Sequence, residues 1–146
     1  MKIEIKLDSA CAEPKVIVLT AEMTEEVNAI VRRLSESAPQ MIAGFCGDTL
    51  RILEQAEIFR VYAADGKVLA ATEQGTYTLR LRLYELEERL DKTRFVRISN
   101  AEIINLKKVK SFDLSLAGTI CVSLQDGSVT YVSRRYVAKI KQVLGV

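Results

Sequence analysis

Phe95-Val96-Arg97-Ile98-Ser99-Asn100-Ala101-Glu102-Ile103-Ile104-Asn105-Leu106 is the stretch whose reading decides the fold. A short apolar run, a polar turn and a second apolar run make two strands closed by a tight connection. Two roles are open to Asn100 in that connection: it supplies the turn itself, or it reads an adenine edge with its amide. Arg97 and Ser99 are placed to hold phosphates beside it. Asn105, inside an apolar run, suits a structural hydrogen bond. Lys107, Lys108 and Lys110 follow directly; they are either solvated or a source of phosphate attraction without sequence preference.

Outward from this segment the same grammar repeats. Asp65-Gly66 lies between the runs 58–62 and 68–72, Gln74-Gly75 precedes the alternating run 76–82, and Asp126-Gly127 joins 120–124 to 129–132. These are hairpin signals in a β-rich domain. A short helix is expected at 83–90, with Leu83, Leu86 and Leu90 on one face and Glu85 four residues before Arg89. A last helix spans 133–144, with Ser133 as its cap, Val137, Ile140 and Leu144 as its buried stripe and Gly145 as its terminator.

Toward the N-terminus, the alternation at 2–7 and a second run at 15–19 predict two strands. A helix then runs from Thr24 to before Pro39, with Val27, Ile30, Val31 and Leu34 on its apolar face and Arg32, Arg33 and Glu36 in solvent. The expected organisation is a small ββα unit over 1–43, used for dimerisation or partner binding, ahead of a β-rich domain over 44–146.

Charge divides along the same lines. Residues 1–93 carry 12 Lys and Arg against 16 Asp and Glu, whereas 94–146 carry 9 against 3. The second portion is an electrostatic footprint for a polyanion, or a solvated basic face. Within it, Ser133-Arg134-Arg135-Tyr136 places two arginines in the first turn of a helix, where positive charge opposes the macrodipole. Fold stability would prefer acids there; the pair is either two chance surface arginines or, as guanidinium groups beside free amides, a phosphate site, and Arg also binds a guanine edge.

Other classes of function fall away. The chain has no histidine, which removes His-based catalytic dyads and His-containing metal sites. Cys11, Cys46 and Cys121 form no CxxC pair and suit a reducing compartment. No P-loop, GxGxxG or GxSxG is present, and Glu85, Glu87, Glu88 and Asp91 look like a solvated face. No apolar run approaches a membrane span. The expectation is a cytoplasmic protein that is not an enzyme and takes no cofactor, metal or small-molecule substrate.

The stretch from about residue 44 to the C-terminus resembles the LytTR DNA-binding domain of bacterial transcriptional regulators. The resemblance rests on ordered motifs: Ile58-Phe59-Arg60-Val61-Tyr62 through Asp65-Gly66-Lys67-Val68, then Leu83-Tyr84-Glu85-Leu86, the 95–106 segment, Asp126-Gly127, and Val132-Ser133-Arg134-Arg135-Tyr136. It implies a mainly β (α+β overall), elongated fold of small antiparallel sheets whose loops enter major grooves. Asn100 and Arg135 then become base contacts. Lys67, in a hairpin loop where other members carry His, becomes a phosphate contact. Arg97, Ser99, Lys107, Lys108, Ser133 and Arg134 are phosphate or supporting contacts.

The resemblance further implies a homodimer on direct repeats of bent duplex DNA. The segment ahead of the domain is shorter than a phospho-acceptor receiver, so phosphorylation on Asp is not the expected switch, and a membrane-bound regulatory protein is a possible partner. The alternative is a protein-interaction or ligand-binding module on the same scaffold, without specific DNA readout.

Overall fold

The computed structural model describes residues 1–35 and 41–146, and the chain divides into two units, Met1–Pro39 and Gln40–Val146. In the first, helix α1 (Glu25–Ser35) begins where the capping chemistry places it. The Thr24 hydroxyl accepts from the Val27 N–H at 3.3 Å and the Thr24 carbonyl from Asn28 at 2.9 Å. Glu25 and Glu26 occupy the positive end and Arg32 and Arg33 the negative end, as the helix dipole favours. The helix end expected before Pro39, and Glu36, lie outside the described residues.

The two strands expected at 2–7 and 15–19 are not formed. No ladder involves these residues, and Ile3, Ile5 and Leu7 are exposed. Alternation describes a chain that fits a half-buried pleated surface; a strand also needs a neighbour to take its amides and carbonyls. Among the described residues of this unit there is none.

The second unit is built from hairpins. Strands β1 (Ile42–Cys46), β2 (Thr49–Leu53), β3 (Ile58–Ala64), β4 (Lys67–Thr72), β5 (Gly75–Leu79), β6 (Phe95–Ser99) and β7 (Glu102–Asn105) form an antiparallel sheet in the order β2-β1-β5-β4-β3-β7-β6. Strands β8 (Val109–Asp113), β9 (Ile120–Leu124) and β10 (Val129–Val132) form a second sheet in the order β10-β9-β8. Helix α2 (Leu83–Arg89) interrupts the series and α3 (Arg134–Leu144) closes it. β1 starts at Ile42, just ahead of the boundary expected at residue 44.

The turn between β3 and β4 shows the local logic. Asp65 and Gly66 both have positive φ, 52° and 74°, the type I′ geometry that matches strand twist and favours Asp-Gly. Gly44 serves a different purpose: a Cβ there would stand 2.8 Å from both Leu53 Cδ1 and Tyr77 Cβ. Only glycine lets β1 pass so close to its neighbours.

Two apolar clusters lie on opposite faces of the β3-β7-β6 region. On one face α2 brings Leu83, Leu86 and Leu90 against Ile58, Val61, Phe95 and Ile103. On the other, the second sheet and α3 bring Ile120, Val122, Val132 and Ile140 against Phe59, Val96, Ile98 and Ile104. β7 is buried along its whole length because both its faces are covered. Full burial of such branched side chains contributes about 1.5–3 kcal/mol each. Asn105 on this strand is fully buried and donates to the Ile58 carbonyl at 2.8 Å while accepting from Lys107 N–H at 3.0 Å, the structural role expected of it.

Candidate nucleic-acid interface

Three connections converge at one end of the seven-stranded sheet. β3 and β7 are antiparallel neighbours with Tyr62 opposite Glu102, so the chain leaves β3 for the Asp65-Gly66 turn at the end where it enters β7 from Asn100. The Ala63 N–H donates to the Ala101 carbonyl at 2.8 Å and ties the two connections together. The third is the start of α3, whose Ser133 N–H donates to the Ile98 carbonyl at 2.9 Å. Residues more than thirty positions apart in sequence thereby share one platform.

The turn between β6 and β7 is held from inside. Arg97 donates through Nε to the Ser99 carbonyl at 3.0 Å and through Nη2 to the Asn100 carbonyl at 2.7 Å. Its Nη1 meets Glu87 Oε2 of α2 at 2.8 Å. Ser99 Oγ accepts from the Ala101 N–H at 3.1 Å. Arg97 and Ser99, expected as phosphate or supporting contacts, are thus engaged in shaping the turn, and the Asn100 residue they frame is exposed.

Arg134 and Arg135 are both exposed in the first turn of α3, which carries no acidic residue. Neither has an ion-pair partner among the described residues. Arg134 lies along the connection between β8 and β9, with its Nε 3.3 Å from where a Cβ on Gly118 would stand. Ser133 occupies the cap position in extended conformation, but its hydroxyl makes no capping bond, contrary to the cap expected of it. The first amides of the helix are therefore open to an outside acceptor. Gly145 ends the helix in the left-handed conformation, at φ 75°.

Lys67 opens β4 beside the Gly66 turn and is exposed. It shares a shallow groove of about 510 Å³ with Arg80 and Arg82, two basic residues that the sequence reading passed over as strand alternation. Arg80 stacks on the Phe45 ring at 4.3 Å. The expected Glu85–Arg89 pairing is replaced: Glu85 accepts from the Arg82 N–H at 3.3 Å, and Arg89 reaches the Met41 carbonyl at 3.5 Å.

Lys107 and Lys108 are not brought to this platform. They follow β7 at the end opposite Asn100, and Lys108 is paired with Glu73 at 3.0 Å with its ammonium over the Phe59 ring at 5.2 Å. Adjacency to Asn100 in sequence does not become adjacency in space, because a single strand separates the ends of a sheet.

Behind the platform, Glu102 is buried between the sheets. Its Oε1 meets Arg60 Nη1 at 3.2 Å and accepts from Thr130 Oγ1 at 3.0 Å, linking β3 and β7 to β10. Burial pushes its carboxyl above the ordinary value, outweighing the opposing pulls of Arg60 and Thr130.

Among the described residues no cluster of three or more His, Cys, Asp or Glu side chains could hold a metal ion, and no helix is long and apolar enough to cross a membrane. Consecutive helices of a helix-turn-helix are likewise absent among them; the elements that converge at the platform are a β-turn, a hairpin and one helix start.

Exposed basic side chains gathered on a loop-built end of antiparallel sheets suit a polyanion such as nucleic acid. A family model described as the LytTr DNA-binding domain matches residues 48–145, and the chain belongs to this DNA-binding family. Its fold is similar to the LytTr DNA-binding domain of a methyl-accepting/DNA response regulator from Bacillus cereus, with TM-score 0.70 and 24% identity over 73% of this chain and 97% of that one. Proteins of Staphylococcus aureus strains MW2 and COL named HTH-type transcriptional regulators are 28% identical over 100% of this chain and 99% of their own length. The family is one of DNA binding rather than catalysis.

Proposed function

We propose that this chain regulates transcription by reading duplex DNA sequence, with Asn100 and Arg135 as base contacts and Lys67, Arg80, Arg82 and Arg134 holding phosphates around them. The observation that carries this reading is the bond from the Ser133 N–H to the Ile98 carbonyl. It joins the strand leading to the exposed Asn100 to the helix start that carries the exposed Arg135, and amide and guanidinium are the two side-chain types that recognise purine edges. Arg97 and Ser99 support the turn. The names of the full-length Staphylococcus aureus relatives favour a regulatory role.

The wider assembly is part of the same proposal. The chain binds direct repeats as a homodimer and bends the duplex, and it acts in the cytoplasm. The exposed apolar residues Ile3, Ile5 and Leu7 support a role for the N-terminal unit in self-association, with a membrane-bound regulatory protein as the other occupant.

The test is fluorescence anisotropy of the full chain with duplex from its own upstream region and with a scrambled duplex, at low and near-physiological salt. Preference for the native duplex that persists at higher salt, and that Arg135→Ala or Asn100→Ala abolishes, is the expected result. Equal binding to both duplexes, vanishing with salt, refutes specific readout and favours the protein-interaction alternative.

A further inference from the structure

We infer that the Tyr136 hydroxyl sets which base Asn100 prefers; this rests on the reading of Asn100 as a base contact. An asparagine amide is ambivalent, with an acceptor oxygen and a donor NH₂. Adenine uses both, giving its N6 proton to the oxygen and accepting at N7, whereas guanine presents acceptors alone at O6 and N7. What decides between them is how much of the amide is left for DNA.

Here the oxygen is already engaged. Tyr136 Oη donates to Asn100 Oδ1 at 3.1 Å. The donor is well anchored, since the half-buried Tyr136 side chain packs against the apolar cluster beneath α3, and the Ser133–Ile98 backbone bond holds the helix start in place. On the other side, Arg97 clamps the Asn100 carbonyl at 2.7 Å. With backbone and amide oxygen both held, Asn100 presents its NH₂ outward and acts as a donor. A base with acceptors only, guanine, satisfies that arrangement with the NH₂ alone; adenine must also bring its N6 proton to the second lone pair of an oxygen whose direction the tyrosine has fixed. Tyr136 is a positioning residue that acts through Asn100, and its hydroxyl has no part in packing the ring.

The experiment compares the full-length protein with Tyr136→Phe on duplex pools randomised across the selected site, recording base preference at each position and the salt dependence of binding. In the variant the guanine-to-adenine ratio falls about tenfold at a single base pair, the size of one purine-edge discrimination. Other positions and the salt slope hold. Tyr136→Met, which fills the same space without a hydroxyl, gives the same shift. In the free protein the Asn100 side-chain NH₂ resonances move in Tyr136→Phe while core amides stay put. Unchanged preference at every position in both variants, with a selective parent protein, overturns this inference and leaves Asn100 as a reader. A parent with no sequence preference, or one whose preference survives Asn100→Ala, overturns the reading beneath it as well.

Discussion

Replacing Arg97 with alanine removes three hydrogen bonds at once, to the Ser99 and Asn100 carbonyls and to Glu87. A hydrogen bond to a charged group contributes about 1.5–3 kcal/mol when shielded. Glu87 is 38% exposed and regains water, so the net loss of stability is about 1–2 kcal/mol. The larger effect falls on binding. Ordering a residue costs about 1–2 kcal/mol of backbone entropy, and the loosened turn must recover part of that for three residues on the DNA. A cost of about 2 kcal/mol corresponds to roughly 30-fold weaker specific binding.

Anisotropy titrations at several salt concentrations separate this from a phosphate contact. A supporting Arg97 leaves the salt slope unchanged when removed, whereas a phosphate ligand lowers it by about one. Glu87→Ala sharpens the contrast, because an acid cannot itself bind phosphate: a supporting role predicts weaker specific binding in this variant too. Tighter binding in Glu87→Ala, together with a reduced slope in Arg97→Ala, would refute the reasoning.

Arg80→Gln with Arg82→Gln lowers the salt slope of DNA binding by about two and weakens cognate and scrambled duplexes alike; loss confined to the cognate duplex contradicts a phosphate role. Gly44→Ala pushes a methyl to within 2.8 Å of Leu53 and of the Tyr77 Cβ and destabilises the domain by about 1–3 kcal/mol in urea melts, a midpoint equal to the parent's being the contrary result. Glu102 holds its proton more tightly in the folded chain than at its ordinary value of 4.5, so its contribution to stability is full below that pH and lost as pH rises through the raised value. The difference in stability between the parent and Glu102→Gln therefore shifts against the parent over that window, and a flat difference would show the burial cost to be absent.

Much of the fold is legible along the chain because it is local. Asp65-Gly66 and Asp126-Gly127 carry their own turn chemistry, and the leucine spacing of α2 and the stripe of α3 need no knowledge of what lies opposite. The 95–106 segment announces a strand, a turn and a strand for the same reason. Partnership is what such patterns leave out. The alternation at 2–7 is as regular as that of any strand in the second unit, yet among the described residues it has no neighbour and forms no ladder. Lys107 and Lys108 stand near Asn100 in sequence and at the far end of the sheet in space. Arg97 looks like a free cation until its three bonds are seen.

From sequence alone came the β-rich class, the hairpin positions, a turn at Asn100 and a pair of arginines at a helix start, since these depend on turn propensity, periodicity and the cost of positive charge at a helix N-terminus. Only the tertiary structure decided that Ile98 and Ser133 are joined, that Arg97 faces inward, that Lys67 has Arg80 and Arg82 beside it, and that Tyr136 holds the Asn100 oxygen. Each depends on which strands become neighbours, and that is settled by burial of two apolar clusters on opposite faces of one sheet rather than by any residue's own preference.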